Sequence, residues 1–121
     1  MSAGVLLGIG LLGGAGALGR FLVDAVVSAR TGDRFPWGTL AVNLSGAVAL
    51  GVLVGAAVTG DALRLAGTGL LGAYTTFSTW MFESHRLAED GQGRLGAANL
   101  LGSLALGVTA AWLGRRIGAS L

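Results

Sequence analysis

Charged side chains are missing from four long stretches of this chain: Met1–Gly19, Phe35–Gly60, Leu65–Phe82 and Leu95–Gly114. Each stretch is uniformly apolar rather than striped or alternating. Each also approaches or exceeds the ~17–25 residues that a helix needs to cross a hydrocarbon core. The pattern predicts four transmembrane helices, at Val5–Val27, Trp37–Val58, Leu65–Phe82 and Leu95–Gly114, in a single domain over residues 1–121. The connections Ser28–Pro36, Thr59–Arg64 and Glu83–Arg94 are short and polar. Pro36 suits a helix start. Phe35, Trp37 and Trp112 lie near span ends, where interfacial aromatics collect.

Composition agrees with a bilayer as solvent. The apolar set is 53% of the 121 residues and the charged set 12%, against roughly 25% charged in a soluble domain. Mean hydropathy is +0.73. With no cysteine, disulfide frameworks, thiolate metal sites and thiol catalysis are excluded. One histidine and two glutamates leave little material for acid–base or metal catalysis, so no enzyme is expected. All eight basic residues are arginines scattered along the chain, which gives nucleic acid no clustered basic face. The N-terminus lacks the cationic region and polar cleavage site of a signal peptide, so the first apolar stretch is expected to stay in the mature protein.

Glycine contributes 23 residues, and small residues let helix backbones approach where lipid supplies no hydrophobic drive. Gly4/Gly8, Gly10/Gly14 and Gly51/Gly55 have GxxxG spacing and are expected to pack helices together. Gly8-Ile9-Gly10-Leu11-Leu12-Gly13 matches the dinucleotide fingerprint, with Asp33 further on. That motif needs a strand, a turn and an amphipathic helix, and the flanks here are uniformly apolar.

Charge does not choose an orientation. With four spans, Arg64, Arg115 and Arg116 share one side, while Arg30, Arg34, Arg86 and Arg94 share the other, joined by Arg20 if it snorkels. So weak a bias leaves the positive-inside rule without a decision. Insertion in both orientations and antiparallel pairing are open, as is one orientation winning by a small margin.

The informative residues are the polar ones inside the spans. Arg20 and Asp24 are one helical turn apart and can pair. Such a pair either anchors a helix end at the interface or leaves Arg20 to hold positive potential at a pore mouth. Asn43 lies well inside the second span, and its NH2 can donate to an anion or to a facing backbone carbonyl. The third span carries Tyr74-Thr75-Thr76-Phe77-Ser78-Thr79-Trp80 shortly after Gly72. β-Branched threonines and competing hydroxyls predict a break or unwound turn near Gly72–Thr76. Membrane-depth backbone of that kind is tolerated only where it is buried in protein or lines a wet path. Freed carbonyls there suit a small cation, while Ser78 and Thr79 offer O–H donors to an anion. Asn99 and Ser103, four apart, share a face and extend the polar track.

Three motifs resemble those of the small fluoride channels, also called the camphor-resistance B family. Gly13-Gly14-Ala15-Gly16-Ala17-Leu18-Gly19-Arg20-Phe21 is similar to its GGxxGAxxR(Y/F) segment. Gly38-Thr39-Leu40-Ala41-Val42-Asn43-Leu44-Ser45-Gly46 is similar to GTLxVNxxG, and Gly69 to Thr79 to GxxGGxTTFST. The resemblance implies an all-α membrane protein with four transmembrane helices and a broken third helix, assembled as an antiparallel, dual-topology homodimer in the plasma membrane. It implies passive exit of fluoride through two pores, with a structural Na+ at the dimer centre held by backbone carbonyls of Gly72 and Thr75. Asn43 falls on the pore-mouth asparagine and Phe77 on the first pore-lining phenylalanine. Ser78 and Thr79 fall on the polar track, and Ser103 on the last span is assigned to the same pathway. Two positions depart from the pattern: Ala73 replaces the second glycine, and Trp80 the second phenylalanine.

Fluoride is small and strongly hydrated, so its pore must replace water with close donors and the positive edges of aromatic rings. A small dual-topology proton-coupled multidrug exporter shares the four-span layout. That mechanism wants a carboxylate deep in a span, whereas Asp24 is near a span end and no glutamate lies mid-membrane. A non-catalytic membrane assembly protein, with the polar stretch serving helix packing, is the third possibility.

Overall fold

A computed structural model describes residues 1–121 as helices joined by short turns, with no strand. Helix α1 (Ala3–Thr31) starts where the Ser2 hydroxyl accepts the Val5 N–H at 3.1 Å. It ends at Gly32, whose φ of +80° places it in the left-handed region that glycine adopts without strain. At 29 residues it overruns the expected Val5–Val27 at both ends. Hydropathy marks the apolar limits of a span, but capping marks where the helix stops. About 43 Å of helix exceeds the ~30 Å hydrocarbon core, so its ends emerge.

Helix α2 (Trp37–Gly55) stops short of the expected Val58. Ala57 takes φ +60°, and the Ala57 and Val58 N–H groups fold back onto the Val54 and Leu53 carbonyls at 3.1 and 3.0 Å. Left-handed caps of this kind satisfy carbonyls that a helix end would orphan. Helix α3 covers residues 60–74 as an α-turn at Gly60–Leu63, a wider π-helical stretch at Arg64–Leu71 and a final α-turn at Gly72–Tyr74. Helix α4 runs Ser78–Glu89. Helix α5 runs Gly93–Ala119 with a π-helical segment at Ala98–Gly102.

Three helices are long and apolar enough to cross a membrane: α1, α2 and α5. The expected third span, Leu65–Phe82, is not one helix. Its residues divide between α3 and α4, with Thr75 extended between them at φ −79°, ψ 160°. The expected fourth span, Leu95–Gly114, lengthens to Gly93–Ala119 because nothing after Gly114 interrupts helical hydrogen bonding until Ser120.

The interior is built from backbone more than from side chains. Fifteen residues are buried; Val42 and Ala110 are the only apolar side chains among them, four are Thr39, Thr76, Ser84 and Asn99, and the rest are glycines. Leu7, Leu11, Leu18 and Phe21 stay exposed along α1, an arrangement that suits lipid and not water. Helices α2 and α5 cross at Gly51 and Gly55 on one side and Gly114 and Gly118 on the other. A Cβ at any of these would strike the facing backbone, Ala111 and Arg115 from α2 and Val48 and Val52 from α5. Likewise α1 meets α3 where Gly16 lies against the Leu70 carbonyl and a Cβ on Gly69 would stand 3.1 Å from the Ile9 Cα.

Of the expected GxxxG pairs, only Gly51/Gly55 packs backbone on backbone. Gly10 and Gly14 have nothing within 4 Å of a built Cβ, and Gly4 and Gly8 meet only side chains. Spacing alone does not say which face of a helix another helix covers. Gly114→Leu is therefore expected to push α2 and α5 apart, at a cost of about 1–3 kcal/mol or more. Gly10→Ala should be neutral or stabilise by up to ~1 kcal/mol through helix propensity. Thermal unfolding midpoints of the detergent-solubilised variants check both.

Candidate functional site

The residues Thr75–Phe77 between α3 and α4 are where the polar side chains converge. Thr75 still belongs partly to α3, since its N–H and its hydroxyl both reach the Leu71 carbonyl at 3.0 Å. Its extended ψ then turns the chain away. Thr76 is buried and takes no helical bonds of its own. Asn43 supplies them from α2: its Oδ1 accepts the Thr76 N–H and its Nδ2 donates to the Thr76 carbonyl, each at 2.8 Å. One carboxamide thus satisfies both backbone groups of the residue that helix geometry abandons. The Thr76 hydroxyl in turn accepts the Thr79 N–H at 3.2 Å and so caps the first turn of α4. Close approach of α2 depends on Gly46, where a Cβ would collide with the Thr75 methyl.

The turn leaves two carbonyls without donors. Thr76 N–H, the helical donor to Gly72, is held by Asn43, and Thr79 N–H, the helical donor to Thr75, is held by the Thr76 hydroxyl. No other backbone or side-chain donor reaches the Gly72 or Thr75 oxygen. Both residues line an open groove of about 460 Å³ between α2, α3, α4 and α5, together with Asn43, Phe77, Trp80 and Ser103. Phe77 projects there with 70% of its surface exposed. Its ring stands edge-to-face with Trp80, centroids 5.7 Å apart at 89°.

Trp80 reaches the last helix, its indole N–H donating to the Asn99 carbonyl at 3.0 Å. Ser103 Oγ donates to Asn99 Oδ1 at 3.3 Å, so the expected Asn99/Ser103 face exists and is tied to Trp80. Ser78 sits exposed on the first turn of α4, its hydroxyl 3.5 Å from that of Thr76. Thr79 faces the other way, into a smaller pocket of about 190 Å³ that also includes Arg20, Asp24, Thr39 and Thr76. Thr76 is common to both linings.

The expected Arg20–Asp24 ion pair does not form: no carboxylate lies within 4.0 Å of Arg20, and Asp24 instead accepts the Ser28 hydroxyl at 3.1 Å. Asp24 is drawn onto the start of α2, where a Cβ at Gly38 would strike its carboxylate. Helical spacing permits a pair, but the neighbouring helix N-terminus attracts the same charge. Sequence reasoning also missed Tyr74, whose hydroxyl lies 2.9 Å from Ser45 Oγ, and Ser84, which bridges Asn99 and the Trp80 carbonyl at 2.8 Å each. Tyr74 stands at an unspecified position of the third motif, and no periodicity or motif marks Ser84.

Known proteins are similar to this chain over nearly its whole length. A fluoride-specific ion channel, FluC 2, of Mycobacterium tuberculosis (strain ATCC 25618 / H37Rv) is 50% identical over 117 residues, covering 97% of this chain and 93% of its own. FluC 1 of Symbiobacterium thermophilum is 45% identical, covering 91% of this chain and 94% of its own. FluC of Geobacter sulfurreducens is 41% identical, covering 90% and 92%. The profile of the family described as CrcB-like protein, Camphor Resistance (CrcB), matches residues 7–115, which contain the helix-packing glycines from Gly16 to Gly114, the Asn43 clamp and the Thr75–Phe77 turn, and the chain belongs to that family.

Proposed function

We propose that this protein is a fluoride-selective channel of the plasma membrane that lets cytoplasmic fluoride leave passively and so lowers its toxicity. The observation that carries the reading is the turn at Thr75–Phe77. It gathers hydroxyls, an amide and an aromatic edge around one point without placing a fixed positive charge there. Neutral donors and ring edges replace fluoride's water and still allow the ion to leave. The names of relatives at up to 50% identity support the same ion. In this reading α3 and α4 are the two halves of one broken crossing. Asn43, Phe77, Ser78, Thr79, Trp80 and Ser103 border the route, and Arg20 supplies positive potential at its mouth.

The working unit is an antiparallel homodimer inserted in both orientations. The groove of about 460 Å³ and the exposed Phe77, Leu104 and Val108 on its rim support a second copy seated there. A Na+ ion between the copies fits the donor set. The Gly72 and Thr75 carbonyls are neutral hard oxygens without hydrogen-bond donors, and orphaned carbonyls are costly in a membrane. No cluster of three or more acidic, histidine or cysteine side chains is present to call for a divalent ion. When bound, the cation supplies positive charge that satisfies these oxygens and ties the two copies together.

Purified protein in liposomes tests the proposal. Vesicles loaded with fluoride are expected to release it rapidly and to retain chloride; equal release, or none, overturns the channel. Proton-driven ethidium uptake by the same vesicles would indicate the exporter instead. A reporter on the C-terminus should signal from both sides of the membrane, and a one-sided signal removes the antiparallel dimer. A density map of the dimer axis should show an ion among the Gly72 and Thr75 oxygens, and an empty axis removes the sodium.

A further inference from the structure

We propose that Asn99 is a positioning residue: its side chain locks α5 against α4 so that its backbone carbonyl holds the Trp80 indole with the N–H turned away from the ion route. The inference rests on the fluoride pathway proposed above and concerns the position where this chain has tryptophan in place of phenylalanine. An indole adds what phenylalanine lacks, an N–H donor. Left free beside an anion path, that donor would bind the ion and slow its release. Here it is already spent on the backbone carbonyl of Asn99 at 3.0 Å.

Asn99 grips Trp80 twice. Its backbone carbonyl takes the indole N–H, and its side-chain Nδ2 seats that carbonyl by donating to Ser84 Oγ at 2.8 Å, which donates to the Trp80 backbone carbonyl at 2.8 Å. Ser103 Oγ occupies Asn99 Oδ1 at 3.3 Å. The loop of bonds closes between α4 and α5 around a side chain that is 2% exposed, so water does not compete for it. Buried networks whose members are all satisfied fix side-chain geometry. Two backbone features make room for this one. Asn99 lies in the π-helical turn Ala98–Gly102, and Gly96 lets α4 approach to where a Cβ would stand 2.8 Å from the Ser84 carbonyl. The ring held this way stands edge-to-face with Phe77 on the lining of the groove.

The test is a double-mutant cycle in liposomes, read by fluoride flux. Trp80→Phe removes the indole N–H together with its tether and serves as the reference background of the cycle. Asn99→Leu keeps the backbone acceptor but loses the Ser84 bond that seats it, so it should lower flux roughly tenfold when Trp80 is present and less than about twofold in the Trp80→Phe background, a coupling of the size contacting residues show. In a Trp37→Phe, Trp112→Phe protein, Trp80 is the remaining indole. Its N–H resonance should shift on Asn99→Leu as the backbone carbonyl it bonds moves off once the Ser84 bond is lost. If Asn99→Leu does not fold, Ser84→Ala carries the same predictions at roughly threefold. Equal fold losses in both backgrounds, or an unshifted indole resonance, each overturn the proposal. A wild-type protein that passes no fluoride while Asn99→Leu still shifts the resonance refutes the fluoride pathway and leaves only the tether.

Discussion

Asn43→Leu is expected to abolish fluoride flux, with a loss of at least about 100-fold, and to lower the thermal midpoint of the purified protein. The argument is one of hydrogen-bond accounting. Thr76 is buried, and Asn43 is the sole partner of both its N–H and its carbonyl. Leucine fills a similar volume and supplies neither bond, so two backbone groups lose their partners at about 1–3 kcal/mol each. A loss of ~2.7 kcal/mol at the barrier corresponds to about 100-fold in rate. Asn43→Asp separates the two bonds. The carboxylate still accepts the Thr76 N–H but opposes the Thr76 carbonyl with a second acceptor, so flux should remain low near neutral pH and recover partly in acid as the carboxyl gains a proton. Flux and melting measured on both variants check this, and wild-type behaviour of Asn43→Leu would refute the clamp.

Phe77→Ile should reduce fluoride flux on the order of 100-fold while the protein folds and assembles as wild type. Phe77 is 70% exposed within one chain, and its ring pairs with Trp80 alone. Isoleucine keeps most of the apolar volume and loses the ring quadrupole. A route that relies on aromatic edges to replace water around a small anion loses that interaction at the ring without losing a contact that holds the fold. Size-exclusion profiles report assembly, and vesicle efflux reports conduction. Wild-type flux would place Phe77 among the packing residues.

The sequence by itself determined the solvent, the number of apolar stretches and the polar residues that matter. Those properties depend on composition and on local runs, and a run of uncharged residues must be buried somewhere whatever the fold. Asn43, Phe77 and Trp80 stand out for the same reason, as polar or aromatic groups placed where lipid makes them conspicuous.

Tertiary structure alone decided how these residues are used. The Asn43–Thr76 clamp and the Trp80–Asn99 tether join residues far apart in the chain, so no local pattern encodes them. The open choice at Asn43, between an anion and a backbone carbonyl, is answered for two of its hydrogen-bonding groups by the geometry of Thr76. Arg20 and Asp24 have the spacing of a pair, yet the start of α2 draws Asp24 elsewhere. Three GxxxG pairs look alike in sequence, and only Gly51/Gly55 faces a backbone. Helix ends moved with the caps at Gly32 and Ala57, and the π-helical turns left no mark in the pattern. The common cause is that a backbone hydrogen bond or a close helix crossing is satisfied by whatever group lies across from it, and what lies across is set by the folded chain and not by its neighbours in sequence.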